Sequence, residues 1–240
     1  VQERFYKTQL DKPEEIAKYV QVFKDNYQMD DLTPQYLKKM ACLVVTYIDL
    51  FEEFKVDVIS AECWTAMQLA VGAMPCTAYS VLADMGCIIS CESDFHGAIT
   101  MAMLSCASLG KKIPFFGEFT NRHPEDKNTE LLWHCGPFPL SQKAESGIDS
   151  DAHLVNQREW FRGKDGTYTL ARIDQESGDY MILPLVADTT EGPQTHGTYI
   201  CPEPHPSGRL MHDLKPHTSA PSSMNSVSTA FSSRSALICF

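Results

Sequence analysis

Four short apolar runs between residues 57 and 136 each end in a side chain that can bind a metal ion or move a proton. VISA runs into Glu62, CIISC into Glu92 and Asp94, PFF into Glu118, and ELLW into His134. Such runs are too short for helices and suit strands buried on both faces. Helical composition fills residues 64–74, 77–85 and 97–109, with breaks at Gly72, Pro75, Gly86 and Gly110. Strand, helix, strand, helix, strand predicts a parallel sheet with right-handed crossovers. Ligands bind such sheets at the carboxyl ends of the strands, so four reactive exits in a row predict one shared crevice.

The flanking segments are simpler. Residues 12–27 place Ile16, Tyr19, Val20 and Phe23 at helical spacing, with Glu14 and Glu15 in the first turn. A second helix starts at Thr33-Pro34 and runs to about residue 54, with Leu37, Met40, Ala41, Val44, Ile48 and Phe51 on one face. Residues 137–166 are loop-rich, and 168–173 and 180–186 read as two strands of a hairpin. Nine Ser and five Pro fall among residues 201–240, a composition that buries little and predicts a disordered tail. The expected class is α/β: a parallel sheet with flanking helices, followed by the start of a β-rich, barrel-like module. The expected units are an α/β domain over 1–136 carrying the site, an incomplete β-rich module over 137–200, and the tail over 201–240.

Charge narrows the partners. A formal net charge of −11 argues against a nucleic-acid surface, which needs a basic stripe to neutralise phosphates. No apolar run reaches the ~20 residues that span a bilayer, so no membrane partner is expected. The start, VQERFYKTQL, has neither an initiator Met nor an apolar signal region and reads as clipped. Nine cysteines lie mostly inside apolar runs, without a C-x-x-C pair, and fit reduced thiols in the cytoplasm.

Each acidic position has a plain structural reading beside the chemical one. Glu62 can serve the N-terminus of the following helix, and Asp94 can cap the helix that it precedes. Glu118 has the same two readings, and an isolated His such as His134 is commonly a hydrogen-bonded core residue. Glu92 and Asp94, two apart, share a face on extended backbone and repel each other unless a cation or a proton lies between them. A carboxylate-rich set with one imidazole suits Mn²⁺ or Mg²⁺ better than Zn²⁺.

ISAECWTAMQ, PCTAYSVLADMGCIISCESDFHGAITM, PFFGEFTN and NTELLWHCG together resemble the carboxyl-terminal half of the L-fucose/L-arabinose isomerase family. The likeness covers about residues 40–200 and is strongest over 57–136; THGTY at 195–199 resembles a turn near the family's final β module. It implies Mn²⁺-assisted aldose–ketose isomerisation of a small sugar through an enediolate, by a chain that forms homo-oligomers when full length. Through ESDFHGA it makes Asp94 the carried-over metal ligand and Glu118 a weaker one, while Glu62 and His134 complete the expected set from the pattern of strand exits alone. The base that moves the proton beside the carbonyl is then Glu62 or Glu92, with Asp94 in the same catalytic group. The family's upstream glutamate, its final histidine and its amino-terminal domains have no counterpart here. A non-catalytic sugar-binding or scaffold relative that has lost the metal is therefore the second reading, and a metal-dependent hydrolase the third.

Overall fold

The computed structural model describes residues 1–134, 137–147, 150–155, 157–176, 178–193, 195, 197–202 and 235–239. Helices α1 (Gln2–Asp11) and α2 (Pro13–Asn26) open the chain, and α3 (Pro34–Phe54) packs against both. The sequence reading had no α1. Pro13 starts α2 where a missing N–H costs nothing, and Ile16, Tyr19 and Phe23 form its buried face. Thr33 Oγ1 caps α3 by accepting the Tyr36 N–H at 3.2 Å. Residues 40–47 of α3 are buried on every side, as expected of a helix that is apolar all round.

Strands β2 (Val58–Ser60) and β3 (Ile88–Ser90) pair in parallel, with Val58 opposite Ile88 and Ser60 opposite Ser90. Helices α4 (Ala66–Val71) and α5 (Cys76–Asp84) lie between them, and α6 (Phe95–Ala107) follows β3. This is the parallel unit that the sequence predicts. It stops there.

The third and fourth apolar runs become β4 (Pro114–Arg122) and β5 (Glu130–Trp133), which pair antiparallel, with Glu118 opposite Trp133. The expected α/β class with a barrel-like module is present, but the parallel sheet holds two strands, and the third and fourth expected strands join the barrel instead. A continuous apolar run marks burial on both faces but not strand direction. The link 123–129 is shorter than the dozen or so residues that a parallel crossover needs.

Both strands enter a closed six-stranded barrel with β8 (Thr167–Glu176), β9 (Asp179–Thr189), β10 (Thr198–Pro202) and β11 (Ser235–Cys239), in the order β10-β5-β4-β11-β8-β9. The hairpin expected over 168–173 and 180–186 is present as β8 and β9, paired from Thr167–Asp188 to Glu176–Asp179. The barrel therefore begins inside the stretch assigned to the first unit. Its closing strand β11 comes from the expected tail, where averaging over forty Ser- and Pro-rich residues hides the short run SALIC. The tail histidines His205, His212 and His217, whose irregular context in the sequence fits exposed loop residues better than metal ligands, lie outside the described residues.

A third small sheet joins β1 (Gln28–Met29) to β6 (His153–Val155) and β7 (Arg158–Trp160), and so ties the α2–α3 junction to the segment between barrel strands β5 and β8. One core runs through all these parts, from Phe5, Phe23 and Tyr47 to Tyr79, Phe115, Phe116, Tyr168 and Leu170. Helix α6 bridges the parallel pair and the barrel, and its Thr100 Oγ1 accepts the Ile173 N–H of β8 at 2.9 Å. No helix among the described residues is long and apolar enough to cross a membrane.

Candidate metal centre

Three of the sequence-selected residues meet at the junction of the parallel pair and the barrel. Glu92, Glu118 and His134 each offer one ligand atom, and these atoms all lie within 4.8 Å of one another. Different elements deliver them. Glu92 sits in the turn leaving β3, with φ of +60° there and +55° at Ser93. Left-handed backbone at two consecutive non-glycine residues costs about 1–3 kcal/mol each and recurs at functional sites. The turn is held by the Ser93 N–H on Ala61 O at 3.2 Å and the Asp94 N–H on Cys91 O at 3.1 Å.

Glu118 is half-buried in β4, two residues from Phe116 and so on the same strand face. His134 is the first residue beyond β5 and is buried, with its ring edge-on to Phe116 at 5.2 Å between centroids. Its Nε2 lies 3.9 Å from Glu92 Oε1, whose side chain remains 47% exposed. The ring is thus fixed while one carboxylate faces an approachable surface.

The donor set fits a small hard cation. Donors on one such ion, each at about 2.1 Å, lie within about 4.2 Å of each other, so the observed spacing needs only slight contraction. Two carboxylates and one imidazole suit Mn²⁺ or Mg²⁺.

The other two sequence candidates are placed elsewhere. Asp94 caps α6, its Oδ1 accepting the Gly97 N–H at 2.8 Å. It is also ion-paired with Arg172 of β8, whose Nη2 lies 3.2 Å from Oδ1 and whose Nη1 contacts Oδ2. A Cβ at Gly97 would fall 2.6 Å from Asp94 Oδ2 and 3.0 Å from the Phe116 ring, so the Asp-x-x-Gly spacing here builds a cap. Glu62 is exposed in the loop between β2 and α4, outside the three-residue group.

Sequence reasoning missed Glu159 and Arg172. Glu159 is buried and lines a small cavity together with His134, Trp133, Phe138, Phe161 and Gly197. Tyr27 donates to its Oε2 at 2.8 Å, yet burial pushes the carboxyl well above the ordinary carboxylate range. A charged residue inside each of the short strands REW and YTLARI was the available signal.

Beneath Glu92, hydrogen bonds from Cys76 and from Cys91 hold the Cys63 thiol below its ordinary range. The larger hollows lie away from this cluster. One, of about 430 Å³ between α1 and α3, has the ion pairs Arg4–Glu53 and Lys12–Asp49 in its lining. Another, of about 760 Å³, lies beside β10 and the 189–193 segment. The convergence of donors, not concavity, marks the candidate site.

No family profile matches the chain. It is similar to a sulfoquinovose isomerase of Alkalicoccus urumqiensis, 28% identical over 170 residues that cover 69% of this chain and 37% of that protein. The sulfoquinovose isomerase of Priestia aryabhattai is 29% identical over 133 residues, covering 54% and 29% respectively. That of Clostridium sp. (strain MSTE9) is 30% identical over 112 residues, covering 46% and 24%. The chain thus spans about a third of the length of these relatives or less. These matches bear out the expected likeness to sugar isomerases, but they do not show the L-fucose/L-arabinose isomerase family itself.

Proposed function

We propose that this chain carries the metal-holding part of an aldose–ketose sugar isomerase. The single observation behind this reading is the convergence of Glu92, Glu118 and His134, three donors from three elements, in a region that aligns with sulfoquinovose isomerases. Mn²⁺, or Mg²⁺ in its place, would polarise the sugar's oxygens and stabilise the negative charge that develops as a proton leaves the carbon beside the carbonyl.

The chain's own residues supply the rest. Buried His134 and half-buried Glu118 form the rigid side of the site, and partly exposed Glu92 faces the entering sugar. Glu62, exposed at the neighbouring strand exit, is the group that takes the proton from one carbon and returns it to the next. Arg158, stacked at 4.9 Å over the exposed ring of Trp64 two residues beyond Glu62, offers a cation to an anionic substituent such as a sulfonate. The substrate class is therefore a small aldose, with sulfoquinovose first and L-fucose and L-arabinose behind it. The complete protein works as a homo-oligomer.

The test is solvent deuterium exchange. Each sugar is incubated with the chain and Mn²⁺ in D₂O and followed by NMR for ketose and for deuterium at the carbon beside the carbonyl. Exchange that is lost in Glu118→Gln and slowed about 10²- to 10⁴-fold in Glu62→Gln supports the proposal. Tight Mn²⁺ binding that Glu118→Gln leaves unchanged would sink it. The commitment of Asp94 to Arg172 favours a second reading, a non-catalytic sugar-binding relative, which predicts sugar binding with no exchange at all.

A further inference from the structure

Below the turn that carries Glu92, two thiols from adjacent strand exits touch. Cys91, the residue after β3, places its Sγ 2.9 Å from Sγ of Cys63, in the loop that leaves β2. Both residues are buried, at 0% and 2% exposure. Their sequence neighbours Glu62, Trp64 and Glu92 are exposed, so the sulfurs lie one layer below an open rim. Parallel pairing of β2 with β3 fixes the approach, and the Ser93 N–H on Ala61 O clamps the two exits together. Cys76, at the start of α5, is also within hydrogen-bonding reach of Cys63 and is the competing partner.

We propose that Cys63 and Cys91 are a disulfide-forming pair, closed by a small two-electron oxidant such as hydrogen peroxide, and that closure re-sets the turn carrying Glu92. Two thiols and one peroxide give one disulfide and two waters. Cys63 Sγ attacks a peroxide oxygen, the O–O bond breaks, and its proton leaves with the departing hydroxide as water. Cys91 Sγ then attacks the sulfenic sulfur of Cys63, and its own proton leaves with the hydroxyl as the second water. The separation must shrink from 2.9 Å to the bond length of about 2.05 Å. That displacement falls on the residue directly bonded to Glu92, whereas ligand distances tolerate only about ±0.2 Å. The pairing stands without the metal reading, and only its consequence for cation affinity rests on it.

The 240-residue chain is treated with hydrogen peroxide, alkylated and digested without reduction, and its peptides are identified by mass spectrometry. The expected product is one crosslink joining the peptides of Cys63 and Cys91, lighter by two hydrogens and absent after reduction. A Cys63–Cys76 crosslink, or over-oxidised Cys63 and Cys91 without a crosslink, overturns the pairing. The wild-type chain suffices for this step, so no variant need fold. Mn²⁺ titration before and after oxidation should show affinity weakened about 10- to 100-fold, restored by a thiol reductant. Equal affinity in the two redox states overturns the coupling. A reduced chain that binds no Mn²⁺ defeats the isomerase proposal and leaves the crosslink to be judged by its own peptides.

Discussion

Arg172 of the barrel strand β8 is ion-paired with Asp94 at the start of α6, and the two lie 78 residues apart in sequence. Their side chains are 6% and 12% exposed, so the pair is buried where the parallel unit meets the barrel. It joins the two halves of the fold beside the candidate centre and takes the aspartate that the sequence motif offered to a metal.

Asp94→Ala should therefore act on stability. Removing one partner leaves the Arg172 charge buried, a loss of about 3–5 kcal/mol, and the missing cap adds about 1 kcal/mol. Urea unfolding measures the loss. Manganese affinity of the folded fraction should stay within about threefold of the original, since about 0.6 kcal/mol covers the indirect effect of a shifted helix end.

Gly97→Ala adds a methyl group where Asp94 Oδ2 and the Phe116 ring already stand. Overpacking of this kind costs about 1–3 kcal/mol. Because Phe116 also supports the His134 ring, the variant should weaken Mn²⁺ binding as well. Calorimetric titration of the folded variant reads that second effect, and unchanged affinity would show that Phe116 does not relay the strain.

Glu159 should make the fold sensitive to alkali. Burial raises its folded pKa above the unfolded value of about 4.3. Below the unfolded value both states hold the proton and the contribution is complete. As the pH rises, the unfolded chain ionises first, and stability is lost up to the folded pKa. Urea unfolding at about pH 5 and about pH 8 should show a fall in the wild type that Glu159→Gln reduces. A variant whose pH slope matches the wild type would mean that other groups carry it.

Thr33→Ala removes the hydroxyl that accepts the Tyr36 N–H at the start of α3. The expected loss is about 1 kcal/mol in chemical unfolding, with metal binding untouched. It serves as a control for a purely structural substitution away from the site.

Much of the path from residue 33 to residue 134 was legible, because local signals decide it. Short β-branched runs gave β2 and β3, Thr33-Pro34 gave the start of α3, and Glu130–Trp133 was read with the bounds that the structure shows. The candidate site was legible only in part. Glu92, Glu118 and His134 stood out as reactive residues at strand exits, and the fold brings them together. Asp94 was the leading metal ligand on sequence and Glu92 only a candidate base, since nothing near Asp94 in the chain announces Arg172. Strand direction was hidden for a similar reason: whether β4 joins a parallel sheet or a barrel depends on partners contributed by β11 and β5. Glu159 went unread because its burial comes from Tyr27 and the cavity beside His134, not from its own strand.

The barrel's last-made strand sits between β4 and β8, with Ser235 opposite Glu118. A ribosome has released the other five staves before that one emerges, so β4 waits with a bare edge during synthesis. Glu118 is thus secured only once residues 235–239 have emerged, and a nascent chain stalled before residue 235 should be cut by protease in β4 where the released protein is not.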